Sequence, residues 1–477
     1  MFSSYTSPRL GTKSFSVVQN AFQQADDLPF RDVLPEEEID AAFAAENASF
    51  GEDEDDIYTP ALTLWAWLSQ VTQADKARSC VAAVARIITL CVALGCKPPS
   101  PDTGAYCRAR AKLPETVLRR LVYAVGDGLE SRVPADWLWL GRHVKLGDGT
   151  TLLAPDTDPN QAVWPQQARQ KPGLGFPILR MVVLLSLATA ALCGLAIGPY
   201  KGKETGEPAL LRELLDRFQP GDVFVGDCAY CSYFLLALLA ACGVDVVTRQ
   251  HQRRRTDFRC GQRLGSGDHV VVWQRPARPK WMDAETYATI PETLTVRELK
   301  VRVDVRGFRT QELVVVTTLT DAERYPQAEL ARLFRLRWHV ELDLRNLKTS
   351  LHWDDLRGKT PETVRREIWV HALAYNLTRK VMAQAAVVHE RLPRDLSFAS
   401  GLAAVTGTWV LASVADASLL LRLAQAQHRS IAWSRVGHRP NRVEPRAVKR
   451  RPKPHKLLTR PRAEARAKLI ATPGTRC

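Results

Sequence analysis

Two hydrophobic patterns alternate through the central part of the chain. Short apolar runs at Val144–Leu146, Val223–Val225 and Val244–Thr248 have the composition of buried strands. Between the second and third runs, apolar residues at helical spacing predict a helix over Ser232–Cys242. Before the second run, Thr205 and Pro208 predict the start of another helix, which runs to Phe218. Strands that alternate with helices indicate an α/β fold.

Met181–Gly198 contains no charged residue and is as long as a short membrane span. It also contains Ser186 and Thr189, and its Val-, Leu- and Ala-rich composition is that of strands in the middle of a sheet. We therefore expect a pair of core strands and no membrane association.

Residues 249–312 interrupt the strand–helix alternation. Gly- and Pro-rich turns and alternating segments such as Leu299–Val305 predict an antiparallel β insertion, after which Leu313–Leu319 returns to the main sheet. A long helix follows around Phe334–Lys348, and a further helix is expected from Pro361 to about Arg391.

Residues 59–136 read as a bundle of short helices. Ala61–Val71 and Lys76–Leu94 are two of them, and a third carries Tyr106, Arg108 and Arg110 before Pro114 starts a fourth. A basic, aromatic-bearing helix in such a bundle is typical of small DNA-reading domains, with Arg108 and Arg110 as candidate contacts. A purely structural bundle whose arginines face solvent explains the same pattern.

The domain organisation follows from these patterns. We expect an acidic lead at 1–58, a helical domain at 59–136, a catalytic domain at 137–395 with its β insertion at 249–312, a helical segment at 396–427 and a basic, Pro-containing, extended tail at 428–477.

The charge of the chain favours a polyanionic partner. Its 477 residues include 66 Lys and Arg against 51 Asp and Glu, for a net charge of +15. Residues 1–58 carry a net charge of −10 and residues 428–477 one of +13. Ten scattered cysteines and the lack of a secretory leader pattern favour the cytoplasm, where a DNA-binding chain would associate with the nucleoid.

One helix carries the most specific chemical pattern. Arg337, Glu341 and Lys348 are spaced by four and seven residues, which places all three side chains within roughly 40° of one another on an ideal helix. A carboxylate between two cations suits a divalent metal ion and a phosphodiester together. A simple surface ion pair between Arg337 and Glu341 is the alternative interpretation.

Two further acids follow strand-like segments. Asp148 and Asp227 each close such a segment, and side chains at strand ends project to the edge where α/β sheets bind ligands. With Glu341 beside them, three carboxylates could hold two Mg²⁺ ions roughly 4 Å apart for an in-line phosphoryl displacement.

These residues resemble a known family. The spacing of Phe334, Arg337, Glu341 and Lys348 is similar to the Tyr-Arg-Glu-Lys motif of bacterial insertion-sequence transposases of the DDE class, the insertion-sequence-four family. Asp148-Gly149-Thr150, the segment Gly198–Glu207 and the Asp227 strand end occur in the family's order. The resemblance covers most of residues 59–391.

The resemblance implies an RNase H-like mixed-sheet core with an inserted antiparallel β subdomain, plus the N-terminal helical domain. It also implies cut-and-paste transposition through a hairpin intermediate, with Asp148, Asp227 and Glu341 as catalytic ligands of two Mg²⁺ ions, or of Mn²⁺ as a substitute. The partners implied are double-stranded DNA, as terminal inverted repeats and target, and a second copy of the chain in a homodimer on DNA.

The resemblance assigns DNA contacts to Arg337, Lys348 and Phe334. The basic residues Lys201 and Lys203 are further candidates for DNA contacts. The loop Arg253–Arg255 is a stronger candidate, since three consecutive guanidiniums suit phosphates. Trp273 and Trp281 are candidates for stacking on a flipped base, although core packing explains either one.

Two positions depart from the family pattern. Phe334 stands where the motif has Tyr, and Cys228 stands where relatives commonly have Arg. Both leave the acids intact. Two alternatives therefore stay open: a decayed transposase that acts as a DNA-binding protein, and an RNase H-like nuclease without strand transfer.

Overall fold

The computed structural model describes residues 36–51, 56–93, 95, 97–302, 312–412, 417–437 and 457–471. The predictions for most of the acidic lead and for much of the basic tail lie outside the described residues.

Five α-helices precede the sheet in the described part of the chain. They are α1 (Glu36–Ala45), α2 (Pro60–Val71), α3 (Cys80–Ala93), α4 (Gly104–Lys112) and α5 (Glu115–Glu130). Helix α2 begins one residue before the predicted start at Ala61. Its first turn is stabilised by the Thr59 hydroxyl, which accepts a hydrogen bond from the Leu62 N–H at 3.2 Å, and by Pro60 at the first position. Helix α5 turns an apolar stripe, from Val117 to Leu129, into the core.

A single nine-stranded sheet forms the centre of the described chain. Its strands are β1 (Val144–Leu153), β2 (Ile178–Ser186), β3 (Leu192–Pro199), β4 (Val223–Gly226), β5 (Asp245–Arg249), β6 (Gln262–Gly265), β7 (Asp268–Gln274), β8 (Thr293–Arg302) and β9 (Glu312–Thr317). Their order is β3-β2-β1-β4-β5-β9-β8-β7-β6. The β1–β4 and β4–β5 pairs are parallel and the others antiparallel, so the fold is mixed α/β, as the alternation predicts.

Helices cover both faces of this sheet. They are α6 (Asp158–Val163), α7 (Glu207–Arg212), α8 (Tyr233–Ala241), α9 (Ala284–Thr289), α10 (Gln327–Leu336), α11 (Trp338–Arg345) and α12 (Pro361–Val388). Further along the chain lie α13 (Phe398–Ala412), α14 (Ala417–Trp433) and α15 (Arg462–Ala471). One core lies between the sheet and α5, α11 and α12, and a second lies on the opposite face under α7 and α8.

The uncharged Met181–Gly198 segment forms most of the β2–β3 hairpin, which is buried almost throughout. The prediction of two core strands is therefore confirmed. Helices long and apolar enough to cross a membrane are absent from the described residues.

The insertion contains antiparallel strands, as predicted, but they do not form a sheet of their own. Strands β6, β7 and β8 extend the main sheet through β9, which pairs with both β8 and β5. A buried Arg297–Asp268 pair joins neighbouring strands β7 and β8, with Nε to Oδ1 at 2.7 Å. The inserted strands thus continue the hydrogen-bonding ladder that begins at β5.

Three predicted elements differ in the structure. The helix expected over Phe334–Lys348 is divided at Arg337 and ends in a π-helical turn, Asn346–Ser350. The helix expected over Thr205–Phe218 is only α7, with Gly206 rather than Thr205 at its N-cap. The tail expected to be extended contains α15.

Candidate active site

Asp148 and Asp227 lie at the same edge of the sheet. Strands β1 and β4 are parallel, with Leu146 aligned to Val225, and each aspartate lies two residues beyond its aligned partner. Val144 and Leu146 face the core on the α11 side of the sheet, and strand alternation places Asp148 on that face too. Asp227 follows the end of β4, as predicted, but the prediction that Asp148 closes its strand is wrong: β1 continues to Leu153 because it stays paired with β2 beyond the end of β4.

Backbone N–H groups hold both aspartates. An Asp148 side-chain oxygen accepts a hydrogen bond from the Gly149 N–H at 2.9 Å. Asp227 caps the short helical turn that follows it by accepting from the Ala229 N–H at 2.7 Å. Each hydrogen bond orients its carboxylate locally, and each carboxylate keeps acceptor capacity for a ligand.

Burial and the charges of neighbouring groups act on the Asp148 carboxyl group. Burial raises the pKa of Asp148 to about 6, and the negative charges of Asp227 and Glu207 act in the same direction. The Gly149 N–H and the Arg337 guanidinium oppose this rise. Carboxylates that repel one another in a partly buried site favour a bound cation.

Glu341 reaches the same region from α11, which packs against β1. Its Oε1 lies 3.2 Å from Arg337 Nη2, so the i,i+4 ion pair that the alternative interpretation predicts is present. The positive charge of Arg337 also acts on Asp148 and lowers the pKa of that carboxyl group.

Carboxylate oxygens are the ligands that Mg²⁺ prefers. In this structure, however, the three acids do not form a metal-binding group. Among the described residues, no group of three or more His, Cys, Asp or Glu side chains could hold a metal ion. Asp148 and Asp227 fit such an ion by donor type, position and mutual repulsion.

Lys348 and Phe334 occupy positions that the ideal helix does not predict. The π-helical turn directs Lys348 towards β1, where its Nζ donates to the Thr151 carbonyl at 3.1 Å, and burial lowers the pKa of the ammonium. Phe334 is only 8% exposed and packs in the core. We therefore correct its assignment: the ring stabilises α10 against the sheet and does not offer a DNA-contacting surface.

The remaining predicted DNA contacts fall into two groups. Arg253–Arg255, Lys201, Lys203 and Arg108 are exposed. Arg110 is instead packed within the helical domain, with its guanidinium 4.0 Å from the Trp67 ring and donating to Gln70 at 3.1 Å.

The two insertion tryptophans are both engaged within the protein. Trp273 is buried, donates from Nε1 to Glu298 at 3.0 Å and carries Arg254 over its ring at 3.6 Å. Trp281 packs on Phe234 and lies under Arg212 at 3.7 Å. Both tryptophans therefore pack within the protein, which agrees with core packing rather than with stacking on a flipped base.

Two residues near the acids were not singled out from the sequence. The charge of Glu207 raises the pKa of Asp148, and burial, with the charges of Glu207, Asp148 and Asp227, raises the pKa of the Tyr230 phenol. Glu207 ends the recognised Gly198–Glu207 segment, whereas Tyr230 lies three positions after Asp227 and outside the recognised segments.

Comparison with known proteins adds independent information. A family model described as "Transposase DDE domain" matches residues 139–377, half of the chain. The chain is similar to "Transposase InsG for insertion sequence element IS4" of Escherichia coli (strain K12), with 27% identity over 362 residues, 74% of this chain and 78% of that protein. It also matches "Transposase for insertion sequence element IS421" of Escherichia coli, with 38% identity over 61 residues, 13% of this chain and 16% of that protein.

A solved piggyBac transposase in a synaptic complex with hairpin DNA has a TM-score of 0.40 to this chain at 9% identity, over 88% of this chain and 80% of that one. The family match spans β1, β4 and α11, and so includes all three predicted catalytic acids. This chain belongs to the transposase DDE domain family and is a DDE transposase of the insertion-sequence-four family.

Proposed function

We propose that this chain is a DNA transposase that cuts and joins the ends of an insertion sequence by metal-dependent hydrolysis and strand transfer at phosphodiester bonds. The observation that supports the proposal is the parallel register of β1 and β4, which sets Asp148 and Asp227 at equivalent positions, together with the packing of α11, the helix that carries Glu341, against β1. All three lie inside the matched transposase domain.

The proposed ligands of two Mg²⁺ ions, or of Mn²⁺ in their place, are Asp148, Asp227 and Glu341. Two such ions, when bound, activate an attacking water or 3′ hydroxyl and stabilise the leaving oxygen. The two aspartates supply acceptors that backbone N–H groups have already oriented.

Arg337 has a double role in this proposal. With Glu341 as its partner, at 3.2 Å, it neutralises the helix acid while the site is open. When Glu341 turns to the metal site, the guanidinium is free for a phosphate oxygen, because Arg binds carboxylates and phosphates with the same planar fork. DNA and metal binding would then favour each other.

Lys348 would act from a more fixed position. Its Nζ donates one hydrogen bond to the Thr151 carbonyl, which leaves two N–H donors for a phosphate near the cleaved bond. Arg253–Arg255, Lys201, Lys203 and Arg108 would contact the DNA backbone further away, since each is exposed and basic.

The finer assignments are also proposals. We infer an RNase H-like catalytic core at 137–395, a DNA-binding helical domain at 59–136 and the β insertion at 249–312. The substrates would be terminal inverted repeats and target DNA, processed through a hairpin by a homodimer on DNA, in a bacterial cytoplasm at the nucleoid. The net charge of +15 supports a DNA partner.

The direct test is Glu341→Gln, assayed on duplexes that carry the inverted repeats flanking the coding region. We expect DNA-end binding close to that of the unaltered protein and a loss of cleavage of at least 10³-fold, because the amide keeps the shape of the side chain but is a poor metal ligand. Glu329→Gln is the matched control: it removes an acid of α10 whose ion pair among the described residues is with Arg332, at 3.8 Å.

Cleavage by Glu341→Gln at the unaltered rate would reject the assignment. A second assay offers a precut end together with a target plasmid. Joined product identifies a transposase, whereas cleavage without joining identifies a nuclease.

A further inference from the structure

The connection between β1 and β2 presents an exposed aromatic side chain. After α6 the chain forms an irregular loop over residues 164–177, which leads directly into β2. Phe176 is 56% exposed in this loop, although both of its neighbours, Gly175 and Pro177, are buried. A single exposed apolar residue is ordinary, so the surroundings of Phe176 decide what it indicates.

The loop around Phe176 is held in shape by the side chain of Gln166. Its amide group makes four hydrogen bonds of 3.0–3.1 Å to the loop backbone, with the Gln170 and Lys171 carbonyls and the Gly173 and Gly175 N–H groups. These bonds satisfy backbone groups that no strand or helix satisfies. The loop is therefore ordered, and it holds the Phe176 ring in water at a fixed place.

The base of the same connection is tied to the segment that follows Lys348. The Asn160 side chain is 0% exposed and donates from Nδ2 to the Gly358 carbonyl at 3.1 Å. Lys348 itself donates to the Thr151 carbonyl, two residues before the end of β1. The loop and the lysine proposed to hold a phosphate near the cleaved bond are thus attached to the same strand end.

The loop is basic. Residues 159–177 contain Arg169 and Lys171, which are both exposed, and no Asp or Glu. Cations beside an exposed aromatic ring suit a nucleic acid, because the cations bind phosphates and the ring can stack on a base.

The C-terminal part of the described chain adds to this charge. Pro461 lies against Gly173, where a Cβ atom would come within 3.0 Å of the proline Cγ. Arg460 and Arg462, on either side of this proline, are both exposed. Two distant parts of the chain therefore bring cations to the loop, which supports a polyanionic occupant.

We propose that this loop binds the duplex of the element end and that Phe176 is a wedge that inserts between two base pairs and kinks the DNA. The inference rests on the proposed function for its partner, and the wedge goes beyond it. Phe is one of the apolar residues that unstack a base step in proteins that bend DNA. Because the loop is ordered before binding, little entropy is lost when the ring inserts.

The sheet indicates where the kink lies. Leu153 pairs with Ile178 at the end of the β1–β2 ladder, whereas Asp148 pairs with Val183, five residues along each strand. At about 3.3 Å per residue, the loop begins roughly 17 Å from Asp148, which corresponds to about five base pairs of DNA. The kink is therefore expected about five or more base pairs from the cleaved phosphodiester.

The test uses the full-length protein in EDTA, so that the DNA is bound but not cut. Duplexes of the inverted repeat carry the fluorescent base 2-aminopurine at one position at a time, and its emission rises when the base is unstacked. With the unaltered protein we expect a rise confined to one base step, and in Phe176→Ala the loss of that rise. Phe176→Leu should keep it, because leucine also acts as a wedge.

A duplex with a mismatch at that step gives a second readout. Its bases are already poorly stacked, so the unaltered protein should bind it about tenfold more tightly than the intact duplex. Phe176→Ala should bind the two duplexes within about twofold of each other, because it does not unstack either one.

Two controls separate the wedge from general effects of the surface. Val272→Ala truncates a side chain of β7 that is 55% exposed, and it should keep both the emission rise and the preference for the mismatch. Replacing Arg169 and Lys171 together with Gln should weaken binding to both duplexes equally and keep the emission rise in the complex that forms. Phosphate contacts position the DNA without unstacking it.

An emission rise in Phe176→Ala equal to that of the unaltered protein, at an unchanged unfolding temperature, would overturn the wedge. A complex of the unaltered protein without any localised rise would overturn it as well. Both results leave the proposed function intact, because that function is judged by the cleavage assay on Glu341→Gln. If the unaltered protein did not bind the inverted repeats at all, the inference and the proposed function would fail together.

Discussion

Arg108 and Arg110 show how two identical side chains on one helix differ in what they do. Arg108 is exposed on α4, whereas Arg110 stacks on Trp67 at 4.0 Å and donates to Gln70, which also accepts from the Tyr106 hydroxyl at 2.9 Å. Arg108→Gln should weaken DNA binding without changing stability. Arg110→Gln should lower the free energy of unfolding by about 1–2 kcal/mol, because it removes a cation–π contact and a partner of a buried amide.

Urea unfolding and a DNA mobility-shift titration, carried out on both variants, check this pair. Equal losses of DNA affinity at unchanged stability would place both arginines on the DNA and contradict the structural role of Arg110. The sequence alone could not separate them, because the contact with Trp67 joins residues 43 positions apart.

The same limit applies to the site residues. Asp227 and Glu341 were identified from a recognisable local context, a strand end and a patterned helix, whereas Asp148 was assigned to a strand end and lies inside β1. Glu207 and Tyr230 have no such context, since their relation to Asp148 depends on how α7 folds over Gly149. Phe334 was assigned by position in a motif, and its burial became visible only with the packing of α10.

At the scale of elements, the apolar patterns predicted the strands well. Buried runs such as Val223–Val225 are determined by composition, and β4 follows them closely. The division of the long helix at Arg337 and the π-helical turn after α11 were not predictable, because the apolar stripe is compatible with a continuous helix. Tertiary packing determines the conformation at these two positions. The π-helical turn leaves Leu347 and Leu351 fully buried and directs Lys348 to β1.

The packing of α14 makes the chain sensitive to acid. His428 is buried in this helix, and burial, together with the charge of His389, lowers its pKa from 6.5 to about 4. A lowered pKa means that the folded state binds the proton less well than the unfolded state. The stabilisation is therefore complete above pH 6.5 and is lost as the pH falls towards 4.

Between pH 7 and pH 5 this histidine should cost about 2 kcal/mol of unfolding free energy. The unfolding free energy of His428→Gln should therefore fall by about 2 kcal/mol less than that of the unaltered protein between pH 7 and pH 5. Urea unfolding at both pH values measures this difference. His251→Asn, at an exposed position, is the control and should follow the unaltered protein. An unchanged pH dependence in His428→Gln would show that this residue does not titrate on unfolding.

At the scale of the whole molecule, the excess of basic residues is expected to act through the DNA backbone. Each Lys or Arg that neutralises a phosphate releases counterions, so the logarithm of DNA affinity falls linearly with the logarithm of salt concentration. The loop after β5 should contribute strongly, because Arg253, Arg254 and Arg255 are all exposed. Arg254 is also held over Trp273, which orients it at little entropic cost on binding.

Replacing all three arginines with Gln should reduce the magnitude of that salt slope by about 2 to 3 and weaken binding to any duplex similarly, because phosphate contacts carry no sequence information. Arg259 in the same loop provides the matched control. It is exposed as well, but it forms a bidentate pair with Asp257 at 2.9 and 2.7 Å, so its charge is already neutralised. Arg259→Gln should leave the slope unchanged, and a slope equally reduced in both proteins would mean that the loop acts through its net charge rather than through three placed guanidiniums.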